Sequence, residues 1–217
     1  MKITDMIGLK HQNEVAKKLY HKHSVSTVLD LGGGKNSQFD ICKELGIKQL
    51  LIDNFYPETD LPVASRKVNI LDFAAVESAI IEVFGSRKVD CVVAIQSIEH
   101  LTKEDGNLLL EKVEEWSDKL IIFETPNGFV KQGAVDGNIY QIHLSGWNKY
   151  DFSYLGYKVL GTAGFKFLKK ASDKGQYKLQ IRGMRLLDVI FSRLLLIHYF
   201  PSLNFNLIAY KELNKAD

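Results

Sequence analysis

The chain has 217 residues, of which 46% are hydrophobic and 25% are charged, as in an ordinary globular protein with one packed core. A formal net charge of +2 argues against nucleic acid as a partner, because such domains usually carry a clear basic excess. The N-terminus lacks a signal-peptide pattern, and no stretch reaches the ~18 uninterrupted apolar residues of a transmembrane helix. We therefore expect a single cytoplasmic domain over residues 1–217.

The first predicted strand ends in a cluster of glycines. An amphipathic helix is predicted over residues 10–23, and a strand over 27–31 then runs directly into Gly32, Gly33 and Gly34. Glycine lets the backbone turn sharply and approach a bound molecule closely. The pattern predicts a buried parallel strand that ends at the mouth of a ligand site.

Two phosphate-binding motifs compete for this turn. The dinucleotide fingerprint requires G-x-G-x-x-G, but Ser37 occupies the position of the third glycine. A phosphate-cradling loop requires Ser or Thr after Gly34-Lys35, and Asn36 stands there instead. Asp30, just before the glycines, would repel a diphosphate and attract a ligand that carries an ammonium group.

With these residues, the sequence resembles the class I S-adenosylmethionine-dependent methyltransferases, whose first motif has the form D-x-G-x-G. Asp30, Gly32 and Gly34 match that motif. The resemblance implies a Rossmann-like, doubly wound α/β fold with a seven-stranded sheet, mostly parallel with an antiparallel last strand. It also implies S-adenosylmethionine as the cofactor, with the acid associated with the amino-acid end of a molecule that has no phosphate.

The second predicted strand, residues 48–53, ends in an acid. Asp53 follows Gly32 by roughly the 20 residues expected for the carboxylate that binds ribose hydroxyls in a βαβ nucleotide site. A carboxylate suits this role because it accepts hydrogen bonds from two neighbouring hydroxyls at once. We therefore assign Asp53 to the cofactor site.

A third short strand is predicted over residues 67–73, with Asp72 at its end. The resemblance implies that an acid at this place bonds the exocyclic amine of adenine, with Leu71 against the ring. Asp72 could equally cap the helix predicted over 73–84, because Asp is a favoured N-cap residue. One residue could serve both roles.

The fourth predicted strand, residues 89–95, is nearly all apolar and should be buried on both faces. Gln96 follows it, in the first polar cluster after this strand, and we assign Gln96 to the cofactor site. Ligands gather at the carboxyl ends of parallel strands where the strand order reverses. An apolar strand followed by Ile98-Glu99-His100-Leu101 resembles the fourth motif of the family, which favours a methyltransferase over an oxidoreductase.

Two histidines are candidate catalytic bases, because imidazole titrates near neutral pH. His100 is the first. His143 is the second, and it belongs to the glycine-rich, polar segment 129–146. This segment follows the fifth predicted strand, residues 119–124, so we expect it to cover the site as a substrate loop.

The same residues raise the question of a metal ion. Glu99-His100 with Gln96 one turn earlier resembles the E-x-x-E-H arrangement of metal-assisted O-methyltransferases, including quinone-biosynthesis and small-RNA 2′-O-methyltransferase families, in which a later histidine completes the set. His143 could be that histidine, and a divalent ion would lower the pKa of the acceptor hydroxyl. Gln96 stands in place of a carboxylate, which weakens a site for a hard cation by one charge.

The last third of the chain contains an insertion, residues 181–204, with a very apolar segment at 184–200 interrupted by arginines. This segment could dock on a membrane surface or cover a lipid-linked substrate. It could equally pack against the sheet or form a homodimer interface.

These patterns together predict a methyltransferase that acts on oxygen in a small-molecule, saccharide or lipid-linked acceptor. An NAD(P)-dependent oxidoreductase and a non-catalytic, cofactor-binding partner subunit are the alternatives.

Overall fold

The computed structural model describes residues 3–34, 38–55, 63–135, 137–171, 177–179 and 199–213. Ser37, and residues 184–198 of the predicted apolar segment, lie outside the described residues. The membrane and homodimer roles suggested for that segment stay predictions. No helix in the described part of the chain is long and apolar enough to cross a bilayer.

Helices and strands alternate along most of the chain. The helices are α1 (Ile3–Lys22), α2 (Phe39–Leu45), α3 (Phe73–Phe84), α4 (Lys103–Trp116) and α5 (Lys149–Ser153). The strands are β1 (Thr27–Leu31), β2 (Lys48–Ile52), β3 (Ala64–Arg66), β4 (Val89–Ile95), β5 (Ser117–Pro126), β6 (Lys158–Phe165), β7 (Lys169–Ala171), β8 (Tyr177–Leu179) and β9 (Asn204–Glu212).

Seven strands form one sheet in the order β3-β2-β1-β4-β5-β9-β6. The first five strands pair in parallel, and β9 runs antiparallel to both β5 and β6. The predicted Rossmann-like, doubly wound α/β fold is therefore confirmed. The strand order reverses between β1 and β4, so the carboxyl ends of these two strands border a crevice.

The side chains of the central strands alternate between two cores, as a pleated strand requires. Leu29 and Leu31 of β1 belong to a cluster that includes residues of α3 and α4. Val28 of β1 belongs to the opposite cluster, with residues of α1 and α2. Asp30 alternates with Leu29 and Leu31, and this places its side chain on the same face as Val28.

The predicted third strand is wrong in position. The strand is Ala64–Arg66, and the residues after it form an irregular connection in which the amide of Asp72 donates to the carbonyl of Asn69 (2.9 Å). Val68 and Ile70, which made this stretch look like a strand, pack against the core from that connection. Apolar residues at a spacing of two therefore do not distinguish a strand from a packed loop here.

Candidate functional site

The turn after β1 has the backbone conformation that only glycine adopts easily. Gly32 and Gly34 have φ angles of 67° and 55°. A Cβ atom on Gly32 would lie 2.5 Å from Oγ of Ser97, and that hydroxyl donates to the carbonyl of Leu31 (2.9 Å). The turn is thus fastened to the loop that follows β4, and the space at Gly32 admits no side chain.

Asp53 lies beside this turn, directly after β2. Its Oδ2 atom accepts a hydrogen bond from the amide of Gly34 (3.1 Å), and Oδ1 accepts from the amide of Phe55 (2.8 Å). A carboxylate accepts hydrogen bonds from hydroxyls as well as from amides. The position agrees with the predicted binding of ribose hydroxyls, which stays a prediction.

An open cleft runs along the carboxyl ends of these strands. It continues from the glycine turn to His100, so residues assigned to the cofactor and residues assigned to catalysis face one space. The lining residues are Gly32, Asp53, Asn54, Phe55, Asn69, Ile70, Gln96, Ser97, His100, Leu101, Asn138, Tyr140 and Gln141.

Asp30 lies beneath the turn and not in the cleft. Its side chain is fully buried, and Oδ2 accepts a hydrogen bond from Nε2 of Gln49 (2.8 Å). Burial, with a contribution from Asp30, raises the pKa of the nearby Cys42 thiol to about 12. Strand alternation turns this carboxylate towards α1 and α2, so the geometry gives no support for direct contact between Asp30 and a ligand.

Leu71 and Asp72 are likewise not brought to the cleft. Asp72 is exposed and caps α3, because its Oδ1 atom accepts from the amide of Ala75 (3.1 Å). Of the two roles considered for Asp72, the structure shows the cap. Asn69 and Ile70 line the cleft from the same connection.

Glu99 is a buried carboxyl residue directly before His100, behind the lining of the other end of the cleft. It is 2% exposed, and its Oε2 atom accepts from Oγ1 of Thr125 (3.0 Å). Its Oε1 atom has no hydrogen-bond partner among the described residues. Burial raises the pKa of Glu99 to about 8. A buried acceptor of this kind is costly unless a ligand or ion satisfies it.

His100 and His143 lie side by side, with ring centres 4.9 Å apart. Nδ1 of His100 is 3.2 Å from the carbonyl of Ile142, and Nδ1 of His143 is 2.5 Å from the carbonyl of Val130. A carbonyl only accepts, so each Nδ1 carries the hydrogen and each Nε2 keeps a lone pair. Burial, and then His143, lowers the pKa of His100 to about 4. Burial also lowers the pKa of His143.

Main-chain hydrogen bonds hold the segment with His143 against Glu99. The amides of Leu144 and Ser145 donate to the carbonyl of Glu99 at 2.9 and 3.1 Å, and the amide of His143 donates to Gln132 (3.2 Å). Tyr140 and Gln141 of the same segment line the cleft. The segment therefore reaches the cleft, although its function as a substrate loop stays a prediction.

Glu99, His100 and His143 each offer one ligand atom, and these atoms lie within 4.8 Å of one another. The set comprises one buried carboxylate oxygen and two neutral imidazoles, each oriented by a carbonyl on its other nitrogen. That pattern is typical of divalent cation sites with nitrogen and oxygen ligands. The residues present thus fit a cation.

A scan of protein-family models and a search of curated proteins give no match. Solved structures do match. A SAM-dependent methyltransferase from Archaeoglobus fulgidus aligns with TM-score 0.51 and 17% identity, over 93% of this chain and 94% of that protein. The plantazolicin methyltransferase BpumL, solved with SAH, aligns with TM-score 0.53 and 14% identity, over 96% of this chain and 85% of its own.

The small RNA methyltransferase HEN1 aligns with TM-score 0.53 and 16% identity, over 96% of this chain and 25% of that protein. These identities are low, so the likeness is one of fold. The fold of this chain is that of the class I S-adenosylmethionine-dependent methyltransferases, which confirms the resemblance predicted from the sequence at the level of fold.

Sequence reasoning missed several cleft residues. Ser97, Asn69 and Ile70 follow strands or fill connections, and each lies one to three residues from a residue that was assigned. Ser97 had a signal, because it is polar and is the second residue after a buried strand. Asn69 and Ile70 had no such signal, because residues 67–73 were predicted as a strand and not as a connection that lines a site.

Proposed function

We propose that this chain is an S-adenosylmethionine-dependent methyltransferase that methylates oxygen in a small-molecule, saccharide or lipid-linked acceptor. The observation that carries the proposal is the single cleft that joins Gly32 and Asp53 to His100. A nucleoside held at the glycine turn would direct its other end towards the imidazole. The shared fold supports this assignment.

In this proposal, one end of the cleft binds the cofactor and the other end binds the methyl acceptor. S-adenosylmethionine supplies an electrophilic methyl group when it is bound. Asp53 binds the ribose hydroxyls, and the glycine turn gives the ligand close access to the backbone. His100 lines the cleft and orients the acceptor hydroxyl with its Nε2 lone pair, and His143, packed beside it, is the second candidate for this role. Either histidine can take the hydroxyl proton at Nε2.

Calorimetry tests the proposal and separates it from an oxidoreductase. We expect S-adenosylhomocysteine to bind and NAD to give no heat. NAD binding without S-adenosylhomocysteine binding would overturn the assignment. A screen of hydroxyl acceptors for S-adenosylhomocysteine release then separates an enzyme from a non-catalytic partner subunit, for which binding occurs without turnover.

A divalent cation is a second candidate component, favoured by Oε1 of Glu99 and the two oriented imidazoles. Glu99, His100 and His143 would hold it, and the cation would lower the pKa of an acceptor hydroxyl. Two imidazoles and one carboxylate suit Zn²⁺, Co²⁺, Mn²⁺ or Fe²⁺ better than Mg²⁺.

Cobalt absorption tests the cation site without an acceptor. We expect Co²⁺ to give visible absorption bands with the protein, and Glu99→Gln to remove them. Glu115→Gln is the matched control, because Glu115 pairs with Lys112 on the surface of α4. Absence of bands with the unaltered protein, together with turnover after chelation, would eliminate the cation.

A further inference from the structure

A second buried carboxylate lies behind the reacting end of the cleft. Glu124, in β5, is 3% exposed. Its Oε2 atom accepts a hydrogen bond from Nε2 of Gln96 (2.9 Å), and its carbonyl accepts from the amide of Gln96 (2.8 Å). Gln96 itself lines the cleft beside His100. Glu124 therefore contacts a cleft residue without lining the cleft.

The other oxygen of Glu124 is held by the neighbouring strands. Oε1 accepts from Oγ1 of Thr162 in β6 (3.0 Å) and from Nδ2 of Asn206 in β9 (3.2 Å). Burial raises the pKa of Glu124, and these three side-chain donors oppose that rise. The carboxyl group is thus fixed by partners from β6, from β9 and from the residue that follows β4.

These contacts determine the orientation of the Gln96 amide. An ionised carboxylate only accepts, so the amide nitrogen of Gln96 must face Glu124. Oε1 of Gln96 is then the amide atom left for the cleft. The backbone of Gln96 has a φ of 52°, in the left-handed region, and its hydrogen bond to the Glu124 carbonyl holds it there.

Three side chains next to one another at this end present electron pairs to the cleft or to each other. His100 and His143 contribute Nε2, and Gln96 contributes its amide oxygen. A group that enters must donate a hydrogen bond or carry positive charge, because a second acceptor would leave these atoms unsatisfied.

We propose that Glu124 is a positioning residue: it fixes Gln96 with the amide oxygen towards the cleft, so that this end selects an acceptor group that donates a hydrogen bond. The proposal rests on the methyltransferase function and identifies a residue for that function outside the cleft lining.

The variant Glu124→Gln inverts the polarity of this pair. The new carbonyl oxygen stays with Thr162 and Asn206, which are both donors, so the new amide nitrogen faces Gln96. Gln96 must then turn its own oxygen towards residue 124 and its nitrogen towards the cleft. We expect kcat/KM with a hydroxyl acceptor from the screen to fall about tenfold, with S-adenosylhomocysteine affinity unchanged within about twofold.

The double variant Gln96→Glu with Glu124→Gln restores the polarity. Residue 124 then donates to the carboxylate at 96, and an oxygen faces the cleft again. We expect it to recover most of the activity that Glu124→Gln loses. Thr162→Val is the matched control, because it removes a hydrogen bond to the same carboxylate without touching Gln96, and we expect its kcat/KM to change less than twofold.

NMR of the Gln96 side-chain amide gives a readout that needs no acceptor. With Gln96→Met used to assign the signals, we expect Glu124→Gln to shift them and Thr162→Val to leave them in place. Unchanged signals in Glu124→Gln, or a double variant no better than the single one, would overturn the positioning role. If the unaltered protein did not bind S-adenosylhomocysteine, the methyltransferase function itself would be contradicted.

Discussion

The two ends of the cleft are built differently. The cofactor half, which consists of Gly32, Gly34, Asp53 and Ser97, is shaped by the main chain: two glycines in the left-handed region, an amide bound to Asp53 and a hydroxyl bound to a backbone carbonyl. These groups define a surface that a ligand can approach closely. They carry no buried charge that opposes folding.

The reacting half, which consists of Gln96, Glu99, His100 and His143, is shaped by buried and half-buried side chains. Gln96, which the sequence assigned to the cofactor, lies beside His100 in this half. Burial raises the pKa of Glu99 to about 8 and, followed by the effect of His143, lowers the pKa of His100 to about 4. Such an arrangement costs folding free energy and is typical of sites that perform chemistry. This difference agrees with the proposed function, in which one half would hold the cofactor and the other half would act on the acceptor.

The largest expected change is in the affinity of the cofactor half for S-adenosylhomocysteine. Gly32→Ala should weaken S-adenosylhomocysteine binding more than about 100-fold, because the new Cβ meets Ser97 and the φ of 67° is strained for alanine. Gly85→Ala is the control, because Gly85 has a φ of 70° with nothing within 4 Å of the added atom. It should lose roughly 1 kcal/mol of stability and keep its affinity. Calorimetry and thermal unfolding separate these effects, and equal affinities would contradict the close packing at Gly32.

The second effect is confined to the reacting half. His143→Ala should lower kcat about 100-fold while S-adenosylhomocysteine affinity stays within twofold, because one oriented lone pair is removed and the cofactor half is untouched. The measurement is product release at saturating cofactor. His21→Ala, at an exposed position in α1, is the control and should keep full activity. A parallel fall in affinity would show that the two halves are not independent.

The third prediction tests two of the three acids assigned to the cofactor, Asp53 and Asp72. Asp53→Ala should weaken binding by roughly 1.5 to 3 kcal/mol, because charge-assisted hydrogen bonds are lost. Asp72→Ala should cost about 1 kcal/mol of unfolding free energy through loss of the α3 cap and leave the affinity unchanged. Calorimetry with S-adenosylhomocysteine measures the affinity of both variants. A tenfold loss of affinity in Asp72→Ala would restore its predicted contact with adenine.

The sequence predicted those parts of the molecule that short-range physics determines. The helix over 73–84 was predicted with its observed bounds, because Asp72 caps its start and Gly85 ends it in the left-handed region. Asp53 lines the cleft, because the βαβ spacing is set by the length of one strand, one helix and two turns, and its contact with ribose stays a prediction. Asp30 was read as a ligand-facing acid, yet strand alternation turns it into the core.

The reacting half depends on contacts that the sequence does not show. His143 was identified as a residue type, but its place beside Glu99 is set by hydrogen bonds from Leu144 and Ser145 to the Glu99 carbonyl. From the sequence, Glu124 was identified only as the last residue of the fifth predicted strand. Its function as a partner of Gln96 follows from the pairing of β5 with β4 and β9, which is decided by the whole sheet.

The smallest effect concerns the end of the sheet far from the cleft, where Glu212 of β9 contacts Lys158, Lys22 and His23. The hydrogen bonds from Lys158 and then Lys22 lower the pKa of Glu212 to about 2. The unfolded chain binds this proton near pH 4.3. The interaction therefore stabilises the fold above about pH 5, and the contribution is lost as the pH falls towards 2.

Because the lysine partners are exposed and screened, we expect Glu212→Gln to lower the unfolding free energy by only roughly 1 to 2 kcal/mol at pH 7. Urea unfolding should show this difference shrinking as the pH falls towards 2, whereas Glu82→Gln, which loses a surface ion pair with Arg66, should show little change with pH. Both variants should bind S-adenosylhomocysteine as the unaltered protein does at pH 7. If Glu212→Gln weakened that binding, the far end of β9 would be coupled to the cofactor half of the cleft.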